Sequence, residues 1–256
     1  MTQDSSTDGQ AVALIVGGGP GISASCARLF AARGLPVAVA ARNPDKPALQ
    51  ALSATAGVRR FACDATDPAA VTALFETVRG ELGVPRLVVH NIDGRVQEIL
   101  RQPVTAADPA LVQDVLTQSA FSAFLVAQQA ARHLLDAPPA ADGRRGTILF
   151  TNASAALKGY PRSAAFAMAC HAKAGLTQSM ARELMPQGIH VAHVPIDGAV
   201  GWVHEDGTRR HRLAGTDDGD NLLHPDHIAE MYWVLHQQHR SAWTTELVLR
   251  PWVETW

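Results

Sequence analysis

The chain has 256 residues, 47% of them hydrophobic and 18% charged, which is the size and composition of one globular α/β domain with a substantial buried core. A formal net charge of -2, with no block of like charge, leaves no electrostatic footprint for nucleic acid or an anionic membrane and favours a small-molecule partner. Three cysteines (Cys26, Cys63, Cys170) at spacings unlike a zinc ribbon or disulfide framework, a polar start without a basic leader, and no apolar run of bilayer length make the cytoplasm the expected compartment.

Residues 1–10 are polar and acidic and read as an extended or disordered N-terminus, so the folded domain is expected over 11–256. Short apolar runs then alternate with longer helical patterns, the signature of a parallel sheet covered by helices on both faces. Seven strands are expected, at 12–16, 37–40, 59–63, 87–91, 147–151, 189–194 and 246–249.

The first strand runs straight into Gly17-Gly18-Gly19-Pro20-Gly21-Ile22-Ser23, followed by helical text. Glycines between a first strand and a first helix let backbone N–H groups approach a pyrophosphate, so Gly17, Gly19, Gly21 and Ile22 are candidate cofactor residues. The second strand ends in Ala40-Ala41-Arg42-Asn43, without the acid that would hold the ribose 2'-hydroxyl of NAD. Arg42 offers a cation to a 2'-phosphate and so favours NADP, unless it is an ordinary solvated residue. Asp64-Ala65 follows the third strand, and Asn91-Ile92-Asp93 follows the fourth. Asp93 is either a desolvated acid or base, or a turn aspartate bonded to its own backbone.

An Ala-rich helix is expected over 109–135, with Ser119 on it, then a surface loop over 137–145. Thr151-Asn152-Ala153-Ser154 ends the fifth strand, and Gly159-Tyr160-Pro161 is either an ordinary turn or the source of a phenol. A second long helix is expected over 163–185. After the sixth strand, residues 198–224, starting at Gly198, read as a mobile lid over the carboxyl edge of the sheet. The pairs His224/His227 and His236/His239 lack an acid or thiol at ligand spacing, so no metal is expected.

The glycine turn (GxxxGxG with Ser23 in the last place), Asn91-Ile92-Asp93, Ser154, and Gly175-Leu176-Thr177-Gln178-Ser179-Met180-Ala181-Arg182-Glu183-Leu184 together resemble the short-chain dehydrogenase/reductase family. The resemblance covers nearly the whole chain. It implies a single-domain Rossmann fold, a doubly wound seven-stranded parallel sheet flanked by helices, with Gly17, Gly19, Gly21, Ile22, Arg42, Asp64, Ala65, Asn91 and Gly198 around NADP(H). It also implies that Ser154 orients a substrate oxygen and that a YxxxK motif on the next helix moves the proton.

That motif is missing. Counting back from Gly175 without a gap puts Phe166 at the tyrosine position and Cys170 at the lysine position, and a similar count puts Ser119 at the family's asparagine. The other register, set by Lys173, would put Ala169 at the tyrosine. Cys170 is either a reactive thiol or an inert small hydrophobe. Residues 166, 170 and 173 share a helix face, so Lys173 either reaches the nicotinamide ribose from one turn farther on or is a plain solvated or interface lysine.

The resemblance therefore implies an NADP(H)-dependent oxidoreductase acting on a small carbonyl or alcohol, with an altered catalytic set drawn from Ser154, Lys173, Asp93 and Tyr160. The alternatives are an isomerase or cyclase on the same scaffold and an NADP(H)-binding protein without turnover. A homodimer or homotetramer built on the helices 109–135 and 163–185 is implied as well.

Overall fold

The computed structural model describes residues 10–204, 206–211 and 214–255; the expected N-terminal extension falls outside this range save for Gln10. Six parallel strands form the central sheet: β1 Ala11–Val16, β2 Val37–Ala41, β3 Val58–Ala62, β4 Val84–His90, β5 Gly146–Ala153 and β6 Ile189–Ile196. Their spatial order is β3-β2-β1-β4-β5-β6. The chain works outward from β1 to β3 and then returns to the other side of β1, which makes the β1/β4 boundary the switch point where open α/β sheets take ligands.

Seven helices connect and cover the sheet: α1 Ile22–Ala32, α2 Pro47–Gln50, α3 Pro68–Glu81, α4 Pro109–Leu116, α5 Ser122–Asp136, α6 Ala164–Leu184 and α7 Pro225–Gln237. Alternate β1 side chains enter opposite layers, as the two-residue strand period requires. Leu14 and Val16 pack with Phe75 of α3, Val126 and Leu134 of α5 and Leu184 of α6. Ala13 and Ile15 pack with Cys26 and Phe30 of α1 and Ile228 and Tyr232 of α7. Asp-Pro pairs start two of the helices: Asp67 accepts the Ala69 N–H at 2.8 Å, and Asp108 accepts the Ala110 N–H at 2.9 Å. In both, proline at the first helical position gives up an N–H that would lack a partner anyway.

The expected seventh strand is not a full strand. Residues 246–249 pair with β6 through isolated bridges, His193 with Glu246 and Ile196 with Leu249. Pro195 lies between the two bridges on β6 and has no N–H to continue the ladder. The helix expected over 109–135 is also broken. A π-helical segment, Thr117–Phe121, separates α4 from α5, and such segments recur at functional sites. By length and apolar composition the whole run Pro109–Asp136 would pass for a membrane span, contrary to the sequence expectation, yet it lies against the sheet with Val126, Ala127, Ala130 and Leu134 buried.

Within 198–224 lies a small antiparallel sheet of β7 Trp202–Val203, β8 Arg209–His211 and β9 Gly215–Thr216. The side chain of Arg209 on β8 bridges to Asp217 and, at 3.2 Å, to Asp220.

Candidate active site

The ends of β1, β4, β5 and β6 open into one cavity of about 630 Å³, walled by Gly21 and Ile22, Asn91 to Asp93, Thr151 to Ala155, Tyr160 to Ser163, Phe166, Lys173, Gly198 and Trp202. Sequence reasoning singled out most of these residues separately, and the fold brings them together.

The glycine turn is held by a short relay. Asn91 Nδ2 donates to Ser23 Oγ at 2.6 Å, and Ser23 Oγ donates to the Gly17 carbonyl at 2.7 Å. Ser23, at the place of a packing glycine, thus ties the turn to the end of β4. Gly17 has φ +107°, and a Cβ there would lie 2.3 Å from the Asn91 carbonyl oxygen, so only glycine allows β1 and β4 to come this close. The exposed side of the turn is different. A Cβ on Gly19 would meet nothing within 4 Å, and Gly21 caps α1 without a side-chain acceptor for its first N–H groups. An open turn leading to an uncapped helix start in a cavity wall fits an anionic pyrophosphate.

Arg42, Asp64 and Ala65 follow β2 and β3, on the far side of β1 from the substrate end, and with Gly17 and Gly19 they lie outside this cavity wall. Asp64 accepts the N–H and hydroxyl of Thr66 at 2.9 and 2.7 Å, bonds that hold its carboxyl below the usual carboxylate range.

Lys173 is 1% exposed, so the reading of a plain solvated lysine fails. Its Nζ donates to the carbonyls of Ile92 at 3.1 Å and Thr151 at 3.3 Å, joining the ends of β4 and β5 at the cavity floor. Burial pulls its pKa down to about 8. An ammonium has three donors, and two are used here.

Cys170 is 1% exposed and its thiol is pushed up to about 11 by burial, which makes it an inert packing group rather than a reactive thiolate. Phe166 faces the cavity with the Arg95 guanidinium 4.1 Å from its ring centroid. Asp93 is neither desolvated nor bonded to its own backbone: its side chain is 52% exposed and its Oδ1 accepts from Arg95 Nη1 at 2.6 Å. A carboxylate in water and already paired has no reason to hold a proton near neutral pH. Ser119 is fully buried, its Oγ without a partner.

Two hydroxyls meet in the cavity. Tyr160 Oη donates to Ser154 Oγ at 3.3 Å, and Lys158 Nζ lies 5.4 Å from the centroid of the tyrosine ring. The floor beneath is braced by a buried chain: Asn152 Nδ2 lies 2.9 Å from the Cys170 carbonyl and 2.8 Å from His193 Nε2, and His193 Nδ1 lies 2.9 Å from Glu246 Oε2. Desolvation lowers the pKa of His193 despite that carboxylate.

Sequence reasoning missed Arg95, Arg101, Arg162 and Lys158. They sit in irregular loops, where no periodicity marks a side chain as facing a cavity.

The family model described as Enoyl-(Acyl carrier protein) reductase matches residues 17–249. The chain belongs to the short-chain dehydrogenase/reductase family. A short-chain dehydrogenase from Rhodopseudomonas palustris is 30% identical and superposes with a TM-score of 0.74, over 94% of this chain and 99% of that one. A metagenomic short-chain oxidoreductase in complex with NADP is 22% identical, with a TM-score of 0.73 over 98% of this chain and 100% of that one. An uncharacterised oxidoreductase of Caenorhabditis elegans is 41% identical over 88 residues, 32% of this chain and only 28% of that protein. Members of this family are nicotinamide-dependent oxidoreductases on a Rossmann sheet, and the six-stranded sheet with its switch point at β1/β4 is that architecture.

Proposed function

We propose that this member of the family is an NADP(H)-dependent oxidoreductase of a small carbonyl or alcohol, in which Tyr160 and Ser154 manage the substrate proton. The observation that carries the reading is the Tyr160–Ser154 hydroxyl pair, 3.3 Å apart, in the same cavity as Gly21, Ile22, Asn91 and Lys173.

The cofactor preference is supported by Arg42 at the end of β2 and by the lack of an acid beside it. The NADP-bound metagenomic relative points the same way. Gly19, Gly21 and Ile22 would hold the pyrophosphate, Arg42 the 2'-phosphate, and the third N–H of Lys173 a ribose hydroxyl. The bound dinucleotide supplies or takes the hydride.

On the protein side, Ser154 Oγ donates a hydrogen bond to the substrate oxygen and positions it. Tyr160 Oη gives that oxygen its proton in reduction and takes it back in oxidation. Lys158, close to the phenol ring, favours the phenolate left behind. Phe166 has no hydroxyl and so contributes only ring surface. The rival reading, a protein that binds NADP(H) without turnover, draws its support from Phe166 and Cys170 at the positions of the family's tyrosine and lysine.

The test is a titration with NADPH followed by turnover over a carbonyl panel. Trp202 lines the cavity, so binding should quench tryptophan fluorescence. Tyr160→Phe is expected to lower kcat by about 10²- to 10⁴-fold while leaving NADPH affinity in place. Turnover unchanged by Tyr160→Phe removes the phenol from the reaction, and binding without any turnover in the wild type favours the rival. Failure to bind either dinucleotide overturns both.

A further inference from the structure

We infer that the mouth of this cavity is an oxyanion site, formed by Arg95, Arg101 and Arg162, that selects substrates carrying a carboxylate or phosphate. The inference rests on the cavity being the substrate site, as proposed above, but not on hydride transfer.

Charge is the first argument. The chain as a whole is net negative at -2, yet the cavity wall carries Arg95, Arg101, Arg162 and Lys173 against Asp93 as its only acid. Lys173 is committed at the floor to two carbonyls, which leaves the three arginines as the cationic face. A concave, partly apolar wall with one sign of charge concentrates field toward a ligand of the opposite sign.

The second argument is that two of these arginines lack protein partners. Among the described residues, Arg101 and Arg162 have neither an ion pair nor a side-chain hydrogen bond, whereas Arg28, Arg60, Arg79, Arg144 and Arg209 all bridge to carboxylates. They also share an unusual backbone. Arg101 has φ +62° and Arg162 φ +59°, and Asp220 is the only other non-glycine described residue with positive φ. L-residues avoid this region, so two arginines held there on two separate loops of one cavity are conformations imposed by their surroundings.

Arg95 supplies the preorganised member. Its guanidinium rests on the Phe166 ring, and one of its five N–H groups is used by Asp93. A planar fork fixed by stacking presents its other N–H groups in the geometry that carboxylate and phosphate accept in pairs. Arg95, Arg101, Arg162 and Phe166 also border a smaller adjoining pocket lined by Val96, Ile99 and Val115, so the charged face continues into an apolar recess suited to a short carbon chain.

The test is isothermal titration of 2-oxobutyrate, its methyl ester and inorganic phosphate into protein saturated with NADPH, which keeps the cofactor's own phosphates out of the comparison. At least one of the two anions should bind about tenfold or more tightly than the uncharged ester, and the Arg101→Gln/Arg162→Gln double variant should lose about that factor. Tighter 2-oxobutyrate assigns a carboxylate substrate, and tighter phosphate assigns a phosphorylated one. Equal binding of acid and ester, no binding of either anion, or anion binding untouched by the double variant overturns the inference. If NADPH itself does not bind, the same titration on the free protein still tests the arginines, and only the oxidoreductase reading falls.

Discussion

Arg95 and Phe166 are in direct contact: the guanidinium carbon lies 4.1 Å from the ring centroid, and the same guanidinium bonds Asp93 at 2.6 Å. The ring at the family's tyrosine position is therefore occupied by a cation from the loop after β4. At a half-exposed site such a contact is worth about 0.5–1 kcal/mol. A double-mutant cycle of Phe166→Leu and Arg95→Gln, read by urea unfolding, should return a coupling energy of that size. Phe166→Tyr keeps the ring face and should leave the coupling intact. A cycle that closes to zero would show that the stacking carries no energy.

Gly94 and Ser119 form a second tight pair. Gly94 has φ +70°, and a Cβ on it would lie 2.5 Å from Ser119 Cβ, so the loop after β4 packs onto the π segment only through glycine. Ser119 in turn is fully buried with an unpartnered hydroxyl. A buried polar group without a bond costs roughly 1–3 kcal/mol, so Ser119→Ala should be neutral or should stabilise by about 1 kcal/mol in urea unfolding. Gly94→Ala should destabilise by more than about 2 kcal/mol, because strain and overlap act together. A Ser119→Ala protein less stable than wild type would point to a bond made by the hydroxyl that the static structure does not contain.

The layered fold was legible because hydrophobic periodicity reports burial directly: β2 and β6 are unbroken apolar or buried runs, and the Asp-Pro pairs mark helix starts. The glycine turn was legible for a similar reason, since Gly17 answers a steric demand that only glycine meets. Other features depended on contacts between segments distant in the chain. Nothing near Pro195 indicates that its missing N–H interrupts a ladder with residues fifty positions later. Nothing in the text around Lys173 indicates that its stem is buried and its ammonium bonded to Ile92 and Thr151. The carboxylate of Asp93 was misjudged because its partner, Arg95, is only two residues away yet turned toward it by the loop. Arg101 and Arg162 gave no signal at all, being lone arginines in loops whose meeting is a property of the fold.

Arg42 offers a test of cofactor choice independent of turnover. If its guanidinium meets a 2'-phosphate, Arg42→Ala should weaken NADPH about ten- to a hundredfold and leave NADH nearly unchanged, since a charge-assisted bond to an anion is worth about 1.5–3 kcal/mol. Fluorescence titration with both dinucleotides measures this. Equal losses for NADPH and NADH would place Arg42 in the structure of the turn rather than in 2'-phosphate recognition.

Lys173 makes stability depend on pH in a direction that can be worked out. Burial lowers its pKa from 10.5 to about 8 in the folded chain, which amounts to roughly 3 kcal/mol between folded and unfolded states. Between these two values the unfolded chain holds the proton and the folded chain does not, so stability rises with pH across that window. Below about pH 8 the full cost of burying the ammonium is present. Lys173→Met removes that cost but leaves the Ile92 and Thr151 carbonyls without their donor, a loss of about 1–3 kcal/mol, so the two proteins should be of similar stability near neutral pH. The slope separates them: from pH 7.5 to 9.5 the wild type should gain roughly 2 kcal/mol relative to Lys173→Met in urea unfolding. Parallel pH profiles would mean that the ammonium is solvated in the folded protein. The same reasoning applies to rebuilding the family's motif. Cys170→Lys would bury a second ammonium one turn from the first, with like charges in a dry helix face, so Phe166→Tyr/Cys170→Lys should be severely destabilised. Adding Lys173→Met should recover much of that loss, because only one cation is then left to bury.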